Sequence, residues 1–291
     1  MKHVFRSIAI SSVASWLVLF ALIPAVLILT TSFLTYDTLH LVRFKLTFTN
    51  YISLLNVVYL KLFLRSVTLA AIVTFICLLI GYPFAYFITT LNPRMQQLCL
   101  ILMILPFWTS SLIRTYAIIA LLKTKGLINA LLLQLHLIHH PLELLYSNTA
   151  VLIGMVYTLL PFMIMPIHAN LEKFDRQLLE AATDLGASRL RILRKILIPL
   201  SLPGITAGII LVFLPAMTLF YIPVLLGGAK SMLLGNLIEN QFLQLSNWPL
   251  GAATGVLLFV GICIAVTPRL VRGVYSNIHS ELNGPSGQAG G

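Results

Sequence analysis

Charge is scarce in this chain. Only 9% of its 291 residues are Asp, Glu, Lys or Arg, against about a quarter in soluble domains. A protein so poorly charged is solvated mainly by something other than water, and with 59% hydrophobic residues that medium is a bilayer. Cysteine is rarer still. Cys77, Cys99 and Cys263 lie in or at the ends of apolar runs with no pair at metal or redox spacing, so they read as small buried hydrophobes. The seven histidines form no cluster; His139-His140 ahead of Pro141 lacks supporting ligands, and no metal site is expected. Acids are outnumbered eight to nineteen, for a net charge of +11. A nucleic-acid footprint needs those cations clustered on a water-facing surface, whereas here they sit in short connections between apolar runs, as topology signals do. No nucleic acid is expected as a partner. No G-x-x-x-x-G-K-[ST] segment is present either, so a nucleotide-driven process would draw its energy from another chain.

What the chain has in plenty is long apolar stretches. A helix needs about 20 apolar residues to cross the hydrocarbon core with its backbone satisfied internally. Six stretches qualify, at approximately 13–34, 64–90, 97–122, 148–170, 201–225 and 250–272. The first follows Lys2 and Arg6 but outruns the roughly 7–15 apolar residues of a signal peptide and lacks a cleavage site; it reads as a retained anchor after a short cytoplasmic segment, 1–12. With the N-terminus inside, eleven cations fall on the inner side and seven on the outer, Arg114 lying within a span. The densest cluster, Arg189 to Lys195, decides the orientation. Both termini and the loop 171–200 are then expected in the cytoplasm. Outer connections 35–63 and 126–147 are long enough for short surface helices, among them the apolar stretch Gly126 to Ile138. The glycine-rich tail, 273–291, is expected to be disordered.

One segment breaks the apolar pattern. "EAATDLGASRLRILRKILIP", Glu180 to Pro199, holds two acids and four bases. From Leu171, apolar Phe174, Leu178, Ala181, Ala182 and Leu185 recur every three or four residues, which predicts an amphipathic helix. Gly186 stands where that helix would end in a left-handed residue. Ser188 is placed to cap a second helix, with Ile192, Leu193, Ile196 and Leu197 on one side and Pro199 limiting its continuation. A loop serving only charge bias has no use for small side chains at Ala181 and Ala182, or for the break. A docking element needs both.

Glu180-Ala181-Ala182, three residues, Gly186, nine residues and then Ile196-Leu197-Ile198-Pro199 resembles the EAA motif of ATP-binding-cassette importer permeases. Other stretches, "LPFWTSSLIRTYA" from Leu105 and "LPAMTLFYIPVLLGGAKSMLLGNLI" from Leu214 among them, resemble the permeases of spermidine/putrescine importers over roughly residues 14–272. The resemblance implies an all-α integral membrane protein of type I importer architecture. It implies docking of Glu180, Ala181, Ala182 and Gly186 in a cleft of an ATPase subunit. The partners it implies are an ATPase homodimer that uses ATP and Mg, a second permease completing a heterodimer, a periplasmic polyamine-binding protein and the polyamine itself. This chain would bind no cofactor, catalyse nothing and lie in the inner membrane of a bacterium.

A flexible polycation favours carboxylates and aromatic faces. Trp108, Tyr116, Tyr157, Phe220 and Tyr221 lie in or near spans and are candidates for the pathway, though aromatics also pack and anchor membrane helices. Away from the cytoplasmic face the acids are Asp37, Glu143 and Glu239. Glu239 is a candidate for the outer gate, or a solvated loop residue. Arg114 inside a span costs about 2.5–3.5 kcal/mol on insertion scales, and reads as a structural ion pair, a gate residue or a snorkelling side chain. Pro83, Pro106, Pro161, Pro166, Pro215 and Pro223 mark kinks, with Pro215 a candidate for a cavity wall. A permease for another small solute, a self-contained channel or secondary transporter, and an intramembrane enzyme stand as alternatives. The near-absence of ionisable groups in the spans disfavours the carrier, and His168 without a catalytic partner disfavours the enzyme.

Overall fold

The computed structural model describes residues 2–37, 41–174, 177–228, 232–261 and 263–264. Apart from one small hairpin it is all-helical. The first helix joins α1 (Lys2–Leu17) to α2 (Ile23–Ser32) through a π-helical turn, Val18–Leu22. Strands β1 (Leu34–Asp37) and β2 (Leu41–Leu46) then pair antiparallel, followed by α3 (Thr49–Leu54) and the long α4 (Val57–Thr90). Next come α5 (Pro93–Ile104), a 3-10 turn at Leu105–Trp108, α6 (Ser111–Leu122), α7 (Leu127–Gln134) and α8 (Asn148–Leu171). After the loop lie α9 (Gln177–Asp184), α10 (Arg189–Ile192), a π turn at Leu193–Leu197, α11 (Ile198–Thr218), α12 (Tyr221–Gly227) and α13 (Leu234–Glu239). A further apolar helix, α14, covers Trp248–Gly261.

Five helical stretches are long and apolar enough to cross a membrane: Ile10–Ser32, Val57–Thr90, Ser111–Gln134, Asn148–Leu171 and Arg189–Thr218. They differ from the six expected spans in four places. The stretch 97–122 is not one helix. Thr109 and Ser110 are both extended (ψ 151° and 136°), so α5 and α6 are separate. Residues 201–225 divide likewise, because α11 ends at Thr218 and Leu219 turns extended before α12. Pro199 does not limit the second loop helix. The chain stays helical from Arg189 to Thr218, with the Ile198 N–H reaching back five residues to the Leu193 carbonyl. The widened turn has a physical reason: a proline ring clashes with the carbonyl four residues earlier, and a π turn moves that carbonyl aside. The same device precedes Pro24, where Ile23 N–H donates to Val18 O. Lastly, part of the connection 35–63 is the hairpin rather than helix. The end of the expected span 250–272, the tail 273–291, and Arg176, Lys230, Arg269 and Arg272 lie outside the described residues.

Packing divides the chain into two compact units. One comprises the described parts of Met1–Tyr59 and Ile238–Gly291. Within it Asn50 Nδ2 donates to the carbonyls of Ser32 and Leu34 (3.0 and 2.9 Å), fixing α3 against the hairpin entrance. Leu54, Leu250 and Ala253 form its small core with Tyr51 and Tyr59.

The other unit is Leu60–Leu237. α4 buries a single stripe of small residues, including Ser66, Ala70, Val73, Cys77, Gly81 and Ala85, at the three- and four-residue spacing of one helix face. Its remaining faces expose Phe75, Leu79 and Phe87, as suits contact with lipid. α8 is the central element, burying Met155, Leu159, Met163, Ile164 and Ile167. α11 crosses it very closely. A Cβ on Gly204 would stand 2.7 Å from Asn170 Cβ and 2.8 Å from the Pro166 carbonyl, and one on Gly208 would stand 2.7 Å from Met163 Sδ. Lipid tails are as apolar as leucine, so membrane helices associate through such close packing rather than through a hydrophobic driving force.

Candidate coupling site and pathway

The charged loop folds as two helices around a glycine turn. α9 ends in a Schellman motif: Gly186 N–H donates to Thr183 O (2.9 Å) and Ala187 N–H to Ala182 O (3.0 Å). This satisfies two carbonyls that the helix end would otherwise leave free. The motif demands a left-handed residue, and Gly186 has φ +77°. Around it is open space, with no atom within 4 Å of where a Cβ would be. Ser188 occupies the N-cap of α10 in extended conformation, yet its hydroxyl makes no capping bond; its carbonyl accepts from Arg191 and Ile192 instead.

The outer face of α9 is apolar. Leu178 is 53% exposed and Leu185 88% exposed, and Ala181 between them is exposed as well. The opposite side, with Leu179 and Ala182, is half-buried. Of the amphipathic helix expected from Leu171 to Leu185, only Gln177–Asp184 is formed, because Leu171 closes α8 and 172–174 turn; part of its apolar set faces away from the bundle. Glu180 is exposed and borders a crevice of about 260 Å3 between α9 and the ends of α4, α5 and α8, with Tyr86, Thr90, Leu171 and Phe174 among its walls.

Two walls of the crevice, Gln96 and Glu172, belong to a polar tie that sequence reasoning missed. Gln96 Nε2 donates to His168 Nε2 (2.9 Å) and to Glu172 Oε1 (3.2 Å), linking the start of α5 to the end of α8. His168 is buried, so its unprotonated nitrogen needs this donor. Polar residues recurring at the ends of apolar runs were the available signal. At the other end of α8, Arg65 Nη2 donates to Asn148 Oδ1 (3.3 Å), tying that end to α4.

The pathway candidates are dispersed. Tyr157 borders a cavity of about 540 Å3 together with Arg114, Phe107, Phe84 and Ile164. Trp108, at the end of the 3-10 turn, is 84% exposed, and Tyr116 on α6 is also exposed. Phe220 and Tyr221 meet edge to face at 6.0 Å at the break between α11 and α12. Glu239 is half-buried at the end of α13. Pro215 lies inside α11 and Pro161 lines the larger cavity, whose described walls do not include Pro215. Arg114 is not ion-paired among the described residues. Its guanidinium lies over the Phe107 ring at 4.6 Å, and its Nε is buried without a hydrogen-bond partner.

Five membrane-length apolar helices among the described residues, no nucleotide loop, an exposed glycine-centred helix pair and close small-residue packing suit the membrane subunit of a transporter. The fold is that of a type I ABC importer permease. The crystal structure of a bacterial ABC transporter involved in the import of the acidic polysaccharide alginate superposes with a TM-score of 0.73 at 15% identity, covering 97% of this chain and 96% of that one. Residues 78–278 match the family described as binding-protein-dependent transport system inner membrane component, and the chain belongs to that family. The spermidine/putrescine transport system permease protein PotB of Escherichia coli (strain K12) is 46% identical over 94% of this chain and 100% of its own. PotB of Salmonella typhimurium (strain SL1344) is 48% identical over 88% and 89%. This chain is therefore a multi-pass membrane protein and the permease subunit of an ABC importer.

Proposed function

We propose that this permease carries polyamines, spermidine or putrescine, inward across a bacterial inner membrane. The 46–48% identity to PotB proteins over most of the chain supports the substrate class. The fold alone cannot carry that choice, since the same fold serves a transporter of an acidic polysaccharide and a polyamine is a cation. In this reading both termini are cytoplasmic, 13–272 is a six-span permease domain, and 171–200 is the coupling loop. A second permease completes the pathway. An ATPase homodimer consumes ATP and Mg, and a periplasmic binding protein delivers the substrate, while this chain itself holds no cofactor and performs no catalysis.

The observation that carries the coupling role is the exposed apolar face of α9 beside the left-handed Gly186. An amphipathic helix with leucines in water is incomplete until a groove covers it. ATP-driven closure of the ATPase pair would move α9 with it. Glu180, Ala181, Ala182 and Gly186 are the contact in this reading, and the continuous helix Arg189–Thr218 transmits the motion to the bundle. Trp108, Tyr116, Tyr157, Phe220 and Tyr221 supply aromatic surface along the route, and Glu239 attracts the cation at the outer gate.

The test is uptake of labelled spermidine and putrescine by cells lacking this gene, with and without a restored copy. Restored, ATP-dependent uptake is expected, with the relative rates ranking the two substrates. If uptake is unchanged while the chain is expressed and holds its ATPase, the substrate assignment is wrong. In the same assay, Glu239→Gln is expected to raise the apparent KM by about tenfold, the equivalent of one lost charge contact, with kcat preserved. An unchanged KM makes Glu239 an ordinary loop residue.

A further inference from the structure

A half-buried cation beside an apolar cavity, its Nε buried and unpartnered, calls for an anion, and Arg114 has none among the described residues. Three routes to neutralisation are closed on geometric or chemical grounds. Snorkelling fails because helical side chains lean toward the helix N-terminus. Arg114 sits in the first turn of α6, and its guanidinium reaches back over Phe107, which precedes that helix. The side chain therefore points back toward α5 and the cavity it borders, not outward along α6. A transported polycation is no remedy, since it shares the charge. The third route, a carboxylate of the same sequence, fails on position: none of the eight acids falls within the spans Ile10–Ser32, Val57–Thr90, Ser111–Gln134, Asn148–Leu171 or Arg189–Thr218. A second copy of this chain has the same deficit.

We infer that the cavity beside Arg114 receives an Asp or Glu side chain from a membrane-spanning helix of the second permease. The inference rests on the reading above that a different permease pairs with this one. The cavity suits such a visitor. Its volume of about 540 Å3 admits more than one side chain, and its walls, Leu102, Met103, Phe107, Tyr157 and Leu160 among them, are apolar around one charged group. The cation–π contact with Phe107 holds the guanidinium in place, and the unpartnered Nε remains as a donor for the incoming carboxylate. An ion pair enclosed by these apolar walls fixes which subunit pairs with which, because a partner lacking the acid leaves the charge without an anion.

The experiment uses the full transporter, purified with its ATPase and second permease. A photo-crosslinking residue at Met103, in an otherwise native chain, is expected to capture the second permease. Capture of lipid alone, or of a second copy of this chain, overturns the inference. In parallel, Arg114→Glu is expected to lower recovery of the second permease and uptake by about tenfold or more. Exchanging the captured acid for Arg in the second permease should restore uptake to within about threefold of wild type, the reciprocity expected of a coupled pair. If R114E assembles and transports normally, or if no acidic residue of the crosslinked helix rescues it, the pairing is wrong. Should the wild-type chain retain neither ATPase nor second permease, the importer reading itself fails, an outcome that the same purification reveals separately.

Discussion

Gly186→Asp is expected to leave the chain in the membrane at normal abundance while cutting ATPase co-purification and ATP-driven uptake by about tenfold. Two facts fix the separate outcomes. The space around Gly186 is open, so a side chain meets no clash and the bundle folds. Its φ of +77°, however, costs an ordinary L-residue about 1–2 kcal/mol, a factor of roughly 5–30 in the population of the turn. The turn sets the exit of α9 and with it the presentation of Leu178 and Leu185. Gly186→Asn is the informative control, because Asn tolerates the left-handed conformation. It should retain most coupling if conformation is what matters. If both variants lose coupling equally, the glycine is needed for close approach of the ATPase rather than for the turn. If G186D co-purifies and transports normally, this loop is not the docking element.

Much of the architecture was legible because apolar length is a one-dimensional property. Stretches such as 148–170 must be helices wherever their backbone is deprived of water, and α8 covers Asn148–Leu171. The glycine turn after α9 was legible for a different reason. Glycine at the end of a three-four apolar pattern reports a local backbone requirement, and the Schellman bonds at Gly186 and Ala187 are local too. Backbone events inside apolar runs were not legible. Nothing in hydropathy marks Thr109 and Ser110 as the place where α5 and α6 part. Pro199 gave the wrong sign, since a local rule ends a helix there while a π turn lets it continue. Contacts between distant segments were hidden as well. Gln96 meets His168 and Glu172 across 72 and 76 residues of sequence, and the contact of Arg114 with the Phe107 ring was not among the roles its sequence position suggested.

Gly204→Val is expected to produce the opposite phenotype to Gly186→Asp: a chain that loses stability before it loses coupling. The helix Arg189–Thr218 transmits motion from the loop only if it is fastened to the bundle, and Gly204 is where it lies against α8. The first atom of any side chain there would fall 2.8 Å from the Pro166 carbonyl and 3.1 Å from Ile167 Cα. Both are backbone atoms of α8, so no rotamer change relieves the contact and the two helices must separate. Overpacking of this kind costs about 1–3 kcal/mol, and separation also loosens the neighbouring approach of Gly208 to Met163. The purified complex should unfold at lower temperature, by several degrees or more, with Gly204→Ala intermediate and Gly208→Ala milder because its nearest neighbour is the flexible Met163 Sδ. That ordering separates a rigid lever from a passive lipid-facing helix. A lever seated by backbone-to-backbone contact ranks G204V worst, G204A next and G208A least, whereas a helix free to shift in lipid would treat all three alike. With G186D stable but uncoupled and G204V destabilised, the turn ahead of the continuous helix and the middle of that helix would be assigned distinct duties, one in receiving the motion and the other in holding the helix against the bundle that must move with it.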